Sequence, residues 1–325
     1  MKRRQFLQLT GAALAGGVAG VCMARTDIVR RATAVAMPPT DASAFGRARR
    51  FAELPCGRIA YVERGTGEAA LFLHGAPLNG FQWRGALDRL SAHRRCIAPD
   101  FMGLGYSQVP AGQSLAADAQ AGMLAALLDA LAVGKVDIVA SDSGGAVAQL
   151  FLVRHPERLR SLLLTNCDVE PDSPPAGVMP AIGMARAGTL AEATARWLTD
   201  KALARSTFGA AVYRDPARLA DETIEYYVTP LVSSPLRRAQ YEAFHIALAP
   251  NPLAGIEAAL RRSAVPVRIV WGAADQVFAL ADAEYLDHTF PQSRGVRRVP
   301  DAKLFFPEEF PDLVAEEARR LWGIG

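Results

Sequence analysis

The chain has 325 residues, 50% of them hydrophobic and 21% charged, with 27 Gly and 21 Pro. This is ordinary globular usage. It excludes a disordered, collagen-like or small disulfide-stapled chain, and the length suits one α/β domain with an insertion, or two smaller domains. The formal charge is +3, but six Lys/Arg and one Asp lie within residues 1–36, so the remainder carries −2 and gives no electrostatic case for nucleic acid.

Residues 1–36 read as a targeting segment. Lys2-Arg3-Arg4-Gln5-Phe6-Leu7 forms a charged start, Leu9 to Met23 a Gly/Ala-rich apolar run, and Ala34-Val35-Ala36 a small-x-small cleavage site, with Cys22-Met23-Ala24 as a second candidate. The arginine pair followed by Phe-Leu resembles a bacterial twin-arginine export signal, which implies delivery to the periplasm by the twin-arginine machinery. No other stretch has the ~18 unbroken apolar residues of a membrane span. Past the leader the cysteines are Cys56, Cys96 and Cys167, an odd number without Cys-x-x-Cys spacing, so neither a disulfide framework nor a metal site is expected.

Residues 37–50 are Pro/Ala/Arg-rich and aperiodic and read as a linker. Beyond them, apolar or β-branched runs predict strands at Ile59–Glu63, Ala70–His74, Cys96–Pro99, Val136–Ala140, Leu159–Thr165, Val267–Trp271 and Gly295–Val299. Helical patterns lie between them near Gly80–Ala92, Leu115–Ala132, Gly145–His155, Leu280–Thr289 and Glu308–Trp322. This alternation predicts a mostly parallel sheet with helices on both faces. It lapses between Asp168 and Arg262, a Pro-interrupted helical block too long for a loop. We therefore expect an α/β core at 51–167 and 263–325, with residues 168–262 as a helical cap over the carboxyl edge of the sheet, where ligands bind in such folds.

The chemistry concentrates where the run ending at Ala140 meets a helix, in Ala140-Ser141-Asp142-Ser143-Gly144-Gly145. A sharp strand-to-helix turn that exposes a nucleophile needs small residues two before and two after it. Asp142, flanked by Ala140 and Gly144, satisfies this; so does Ser143, flanked by Ser141 and Gly145. Pro156, fourteen residues past Asp142, favours the aspartate register.

In these residues the chain resembles the α/β-hydrolase superfamily, and its Asp142 resembles the haloalkane dehalogenase and epoxide hydrolase branch. The resemblance implies an eight-stranded, mostly parallel sheet with an inserted cap, no cofactor, and a carboxylate that attacks carbon to form an ester. His74-Gly75-Ala76-Pro77 is similar to the family's anion-hole turn, which assigns the backbone N–H groups of Ala76 and Ser143 to that hole. Trp271-Gly272-Ala273-Ala274-Asp275 resembles the loop presenting the catalytic acid, hence Asp275, with Asp168 as the alternative position. The family's catalytic histidine belongs 29 residues past Asp275, where this chain has Leu304. Candidates facing a substrate from the cap are Tyr226, Tyr227 and His245, with Tyr241 weighed beside the tyrosines. Phe278, Phe305 and Phe306 either line an apolar pocket or pack the core. The relatives' side-chain halide ligands fall at Ala76 and Ser143.

The leading expectation is an exported hydrolase that attacks a small apolar epoxide, alkyl halide or ester through Asp142. Two alternatives follow from Leu304: an isomerase or lyase using Asp142 as a general base, or a ligand-binding protein without turnover.

Overall fold

The computed structural model describes residues 40–324. The leader and the start of the expected linker lie outside them. Eight strands form one sheet: β1 (Arg49–Leu54), β2 (Gly57–Arg64), β3 (Ala69–Leu73), β4 (Arg95–Pro99), β5 (Val136–Asp142), β6 (Leu159–Cys167), β7 (Val267–Gly272) and β8 (Ser293–Val299). Their order is β1-β2-β4-β3-β5-β6-β7-β8. The pairs β1/β2 and β2/β4 are antiparallel and all others parallel. Every residue of the central strands β3 and β5 is buried, which is why β3 reads as an unbroken apolar run and β5 as one interrupted by Asp137, whose carboxylate pairs with Arg94 and Arg160.

Helix Ala117–Ala130 packs on Ser143–Arg154, and helix Arg84–Leu90 packs on Pro311–Leu321. The regular elements within residues 168–262 are helices joined by turns and loops, with one isolated β-bridge, Val169 with Asp172. Helices Met179–Arg186, Leu190–Ala195 and Pro235–Ile246 pack on one another there. No described helix is long and apolar enough to cross a membrane.

The segment read as a linker is partly structured. Helix Ala42–Arg47, whose N-terminus Asp41 caps by accepting from Ala44 N–H, buries Phe45 edge-on against Phe81 and Tyr226. Strand β1 starts at Arg49 and hairpins into β2 across Pro55-Cys56. An edge strand with one wet face carries Arg49, Arg50 and Glu53 rather than an apolar run, so hydrophobic patterning does not register it. Cys96 and Cys167 are buried, Cys56 is partly buried, and none of the three is paired.

Candidate active site

The turn between β5 and helix Ser143–Arg154 falls on Asp142, at φ 55° and ψ −137°. A non-glycine residue in this region is strained by ~1–3 kcal/mol and persists only where its surroundings dictate it. They do so here by proximity. A Cβ on Gly75 would stand 2.4 Å from Asp142 Cβ, one on Gly144 2.7 Å from the His74 and Leu73 carbonyls, and one on Gly145 2.3 Å from Cys167 Cβ. Glycine at these positions lets β3, β5, β6 and the helix converge. Of the two registers open in the sequence, the strained backbone belongs to Asp142. Ser143 begins the helix, and its Oγ is buried without a hydrogen-bond partner among the described residues.

The Asp142 carboxylate is divided in its contacts. Oδ1 accepts from Ser143 N–H at 2.5 Å and Ala76 N–H at 3.1 Å, while Oδ2 receives no hydrogen bond from a described residue. Burial raises the pKa of Asp142 above the ordinary carboxyl value, and these two amides oppose the shift. His74, in the adjoining turn, is fully buried: Nδ1 donates to Gly75 O and Nε2 accepts from Phe101 N–H, and desolvation holds its pKa down to about 4. Its ring braces the turn in the neutral form.

Asp142 opens into a cavity of about 550 Å³ between sheet and cap. The walls are mostly apolar, with Phe278 and Leu304 from the core and Trp197 and Phe208 from the cap, while Phe305 and Phe306 are core residues outside the lining. Its polar lining includes Asp168, His245, and Tyr241, whose hydroxyl lies 3.2 Å from Thr194 Oγ1. The His245 Nδ1 donates to Tyr241 O, and burial lowers the pKa to about 4, so the imidazole is neutral.

Other candidates lie elsewhere. Neither Tyr226 nor Tyr227 lines this cavity. The Tyr226 hydroxyl accepts from Arg49, and the Tyr227 hydroxyl donates to Glu308 at 2.7 Å. Glu308, four residues past Leu304, is further held by Arg84 and Tyr213, a buried cluster that takes both the second tyrosine and this carboxylate. Asp275 also lies outside the lining. Its Oδ1 accepts from Val277 N–H and its Oδ2 from Asn166 at 2.7 Å, and burial raises its pKa to about 6. Leu304 is 2% exposed and occupies the cavity wall in place of a titratable ring.

Asn166 and Ser173 escaped sequence reasoning. Asn166 clamps β7 through Gly272 N–H and O while holding Asp275, and Ser173 Oγ donates to Asp168 at 2.7 Å. An amide or hydroxyl carries no periodic signal, and these pairings join residues distant in the chain or turned together by a loop.

A family model described as the alpha/beta hydrolase fold matches residues 70–310. Over 284 residues the chain is 27% identical to haloalkane dehalogenase 2 of Mycobacterium tuberculosis, covering 80% of this chain and 89% of that one. It is 38% identical to the 2-hydroxy-6-oxo-2,4-heptadienoate hydrolase of Pseudomonas putida over 103 residues, only 31% of this chain and 37% of that enzyme. Among solved structures, the epoxide hydrolase CorEH superposes with a TM-score of 0.70 at 22% identity, covering 85% of this chain and 98% of that chain, a likeness of fold.

Proposed function

Because the chain belongs to the alpha/beta hydrolase fold family, we propose that it is an exported hydrolase whose Asp142 attacks a small, largely apolar electrophile: an epoxide, an alkyl halide or an ester. The observation that carries this reading is the division of labour within one carboxylate. Two amides hold Oδ1, and Oδ2 is left without a donor at the floor of an apolar cavity. In that reading Oδ2 forms a bond to the substrate carbon as the bond to the leaving atom breaks, giving an ester on Asp142. Water then adds to the ester carbon, and the charge that develops on Oδ1 meets the Ala76 and Ser143 N–H groups already directed at it. A desolvated carboxylate is a stronger nucleophile than a hydrated one, and the apolar wall supplies that desolvation.

The Tyr241 hydroxyl and Thr194 offer a proton-donating pair on the cap side, which favours an oxygen leaving group over a halide, since the anion hole carries no halide-binding side chain at Ala76 or Ser143. Export follows the paired arginines of the leader, with residues 1–36 removed. A buried Leu304 at the histidine position favours a second reading, ligand binding without turnover.

Intact-protein mass spectrometry after incubation with epoxides, alkyl halides and activated esters separates these readings. Hydrolysed product, or an adduct of the substrate's mass, that disappears in Asp142→Asn is expected. Neither product nor adduct across the panel favours the binding protein, and product that persists in Asp142→Asn eliminates the nucleophile.

A further inference from the structure

If Asp142 forms an ester, something must take a proton from the water that cleaves it, and Leu304 has no group to do so. The titratable side chains lining the cavity beside Asp142 include Asp168 and His245. His245 reaches it from the cap. Asp168 follows immediately on Cys167, the residue paired with Asp142 across β5 and β6, and so stands just past the end of the strand next to the nucleophile. Its backbone is pinned: Gln149 Nε2 donates to its carbonyl at 2.8 Å, and the Val169–Asp172 bridge closes the following turn. Ser173 occupies Oδ1, while Oδ2 receives no hydrogen bond from another described residue, on a residue that is 7% exposed. A buried carboxylate with one oxygen anchored and the other unpaired, in the same cavity as Asp142, has the form of a proton acceptor.

Resting on the nucleophile reading above, we infer that Asp168 is the general base that activates the hydrolytic water in place of the absent histidine. For an epoxide, Oδ2 of Asp142 bonds to the ring carbon as the C–O bond breaks, and the released alkoxide takes a proton from the Tyr241 hydroxyl, leaving a hydroxyalkyl ester and a tyrosinate. Water then adds to the Asp142 ester carbon while its proton passes to the Asp168 carboxylate. Collapse of the tetrahedral species breaks the bond to the hydroxyalkyl oxygen, which receives the proton from Asp168. The diol leaves with Asp142 as the carboxylic acid, whose proton returns to the tyrosinate through solvent, so that both aspartates and Tyr241 regain their starting state.

The charges around Asp168 suit this order. Burial first, and then the Asp142 carboxylate, hold the free-protein pKa at about 7, opposed by the Ser173 hydrogen bond and its own backbone N–H and assisted by Asp172; the facing helices add to the cavity wall the neutral His245, the Tyr241 hydroxyl and Arg196, which is paired with Glu192. In the ester Asp142 carries no charge, so Asp168 loses that repulsion and ionises more readily when it is needed as a base. Ester hydrolysis therefore rises with pH, with a midpoint below that of the free protein.

The test is a single turnover of 1,2-epoxyhexane by the full protein in ¹⁸O-water, following adduct by mass and hexane-1,2-diol by isotope content. The wild-type protein is expected to place the first ¹⁸O in Asp142 and release diol. Asp168→Asn, which keeps an acceptor for Ser173, is expected to accumulate the ester and cleave it about 100-fold more slowly without the pH dependence. Ser173→Ala removes a donor to the ionised form and shifts the midpoint upward. Ester cleavage at the wild-type rate in Asp168→Asn, a persistent ester in the wild type, or accumulation in His245→Ala instead overturns the assignment and leaves Asp142 as nucleophile. Neither ester nor diol in any variant, or first-turnover ¹⁸O in the diol, overturns the nucleophile reading and this assignment with it.

Discussion

Asp275 shows what happens to an acid whose expected partner is a leucine. With no imidazole beside it, the carboxyl answers to burial, which raises its pKa to about 6 despite the N–H donors from Val277 and Asn166. A carboxyl raised in the folded state stabilises the protein below its unfolded value, near pH 4, and that contribution is lost as pH rises through about 6. Asp275→Asn cannot ionise, so its stability relative to the wild type is expected to improve by on the order of 2–3 kcal/mol between pH 4 and pH 7. Urea unfolding at the two pH values measures this, and a constant difference would show that Asp275 ionises as freely when folded as when unfolded. The placement of Asp142, Ala76, Ser143 and Leu304 around one cavity was legible because motif spacing sets each in a loop or turn that follows a strand. The destinations of Tyr226 and Tyr227 were not, because a helix periodicity states which faces are apolar and does not state which neighbour each face meets.

The strand-to-helix turn is the element on which the site depends. Alanine in place of a helical glycine ordinarily gains ~1 kcal/mol. At Gly144 the added Cβ meets two carbonyl oxygens of β3 and its following turn at 2.7 Å, and backbone does not yield as a side-chain tip does. Gly144→Ala is therefore expected to destabilise by about 2 kcal/mol and to misplace Asp142, read as a lower melting temperature together with lost adduct formation. A stabilised variant would mean that β3 and the helix are less closely packed than described. Strands buried on both faces announced themselves as largely apolar runs, as at β3 and, around Asp137, at Val136–Ala140 of β5. Strand β1 and helix Ala42–Arg47 did not, since each meets the core through a minority of its side chains, Ala52 in one and Ala42 with Phe45 in the other.

The full chain carries a formal +3, whereas residues 37–325 alone carry −2. If residues 1–36 direct export, replacing Arg3 and Arg4 by lysine should leave the uncut chain inside a bacterial host, whereas the parent chain yields a periplasmic form shorter by about 36 residues; N-terminal sequencing of both fractions decides this. The same periplasmic form from the lysine variant would refute the twin-arginine reading. Composition and alternating strand and helix patterns were enough to predict a mostly parallel α/β sheet with an inserted helical block, and the resemblance carried by His74, Asp142 and Asp275 implied the α/β-hydrolase fold. Those signals are local and repeat with the period of the element that carries them. Only the tertiary structure decided that Asp142 carries the strained turn, that Glu308 is consumed by Arg84, Tyr213 and Tyr227, and that Asp168 shares a cavity with Asp142 while Asp275 does not. Those outcomes depend on which side chains from distant segments reach one another first, a competition among hydrogen bonds and burial that no single segment encodes.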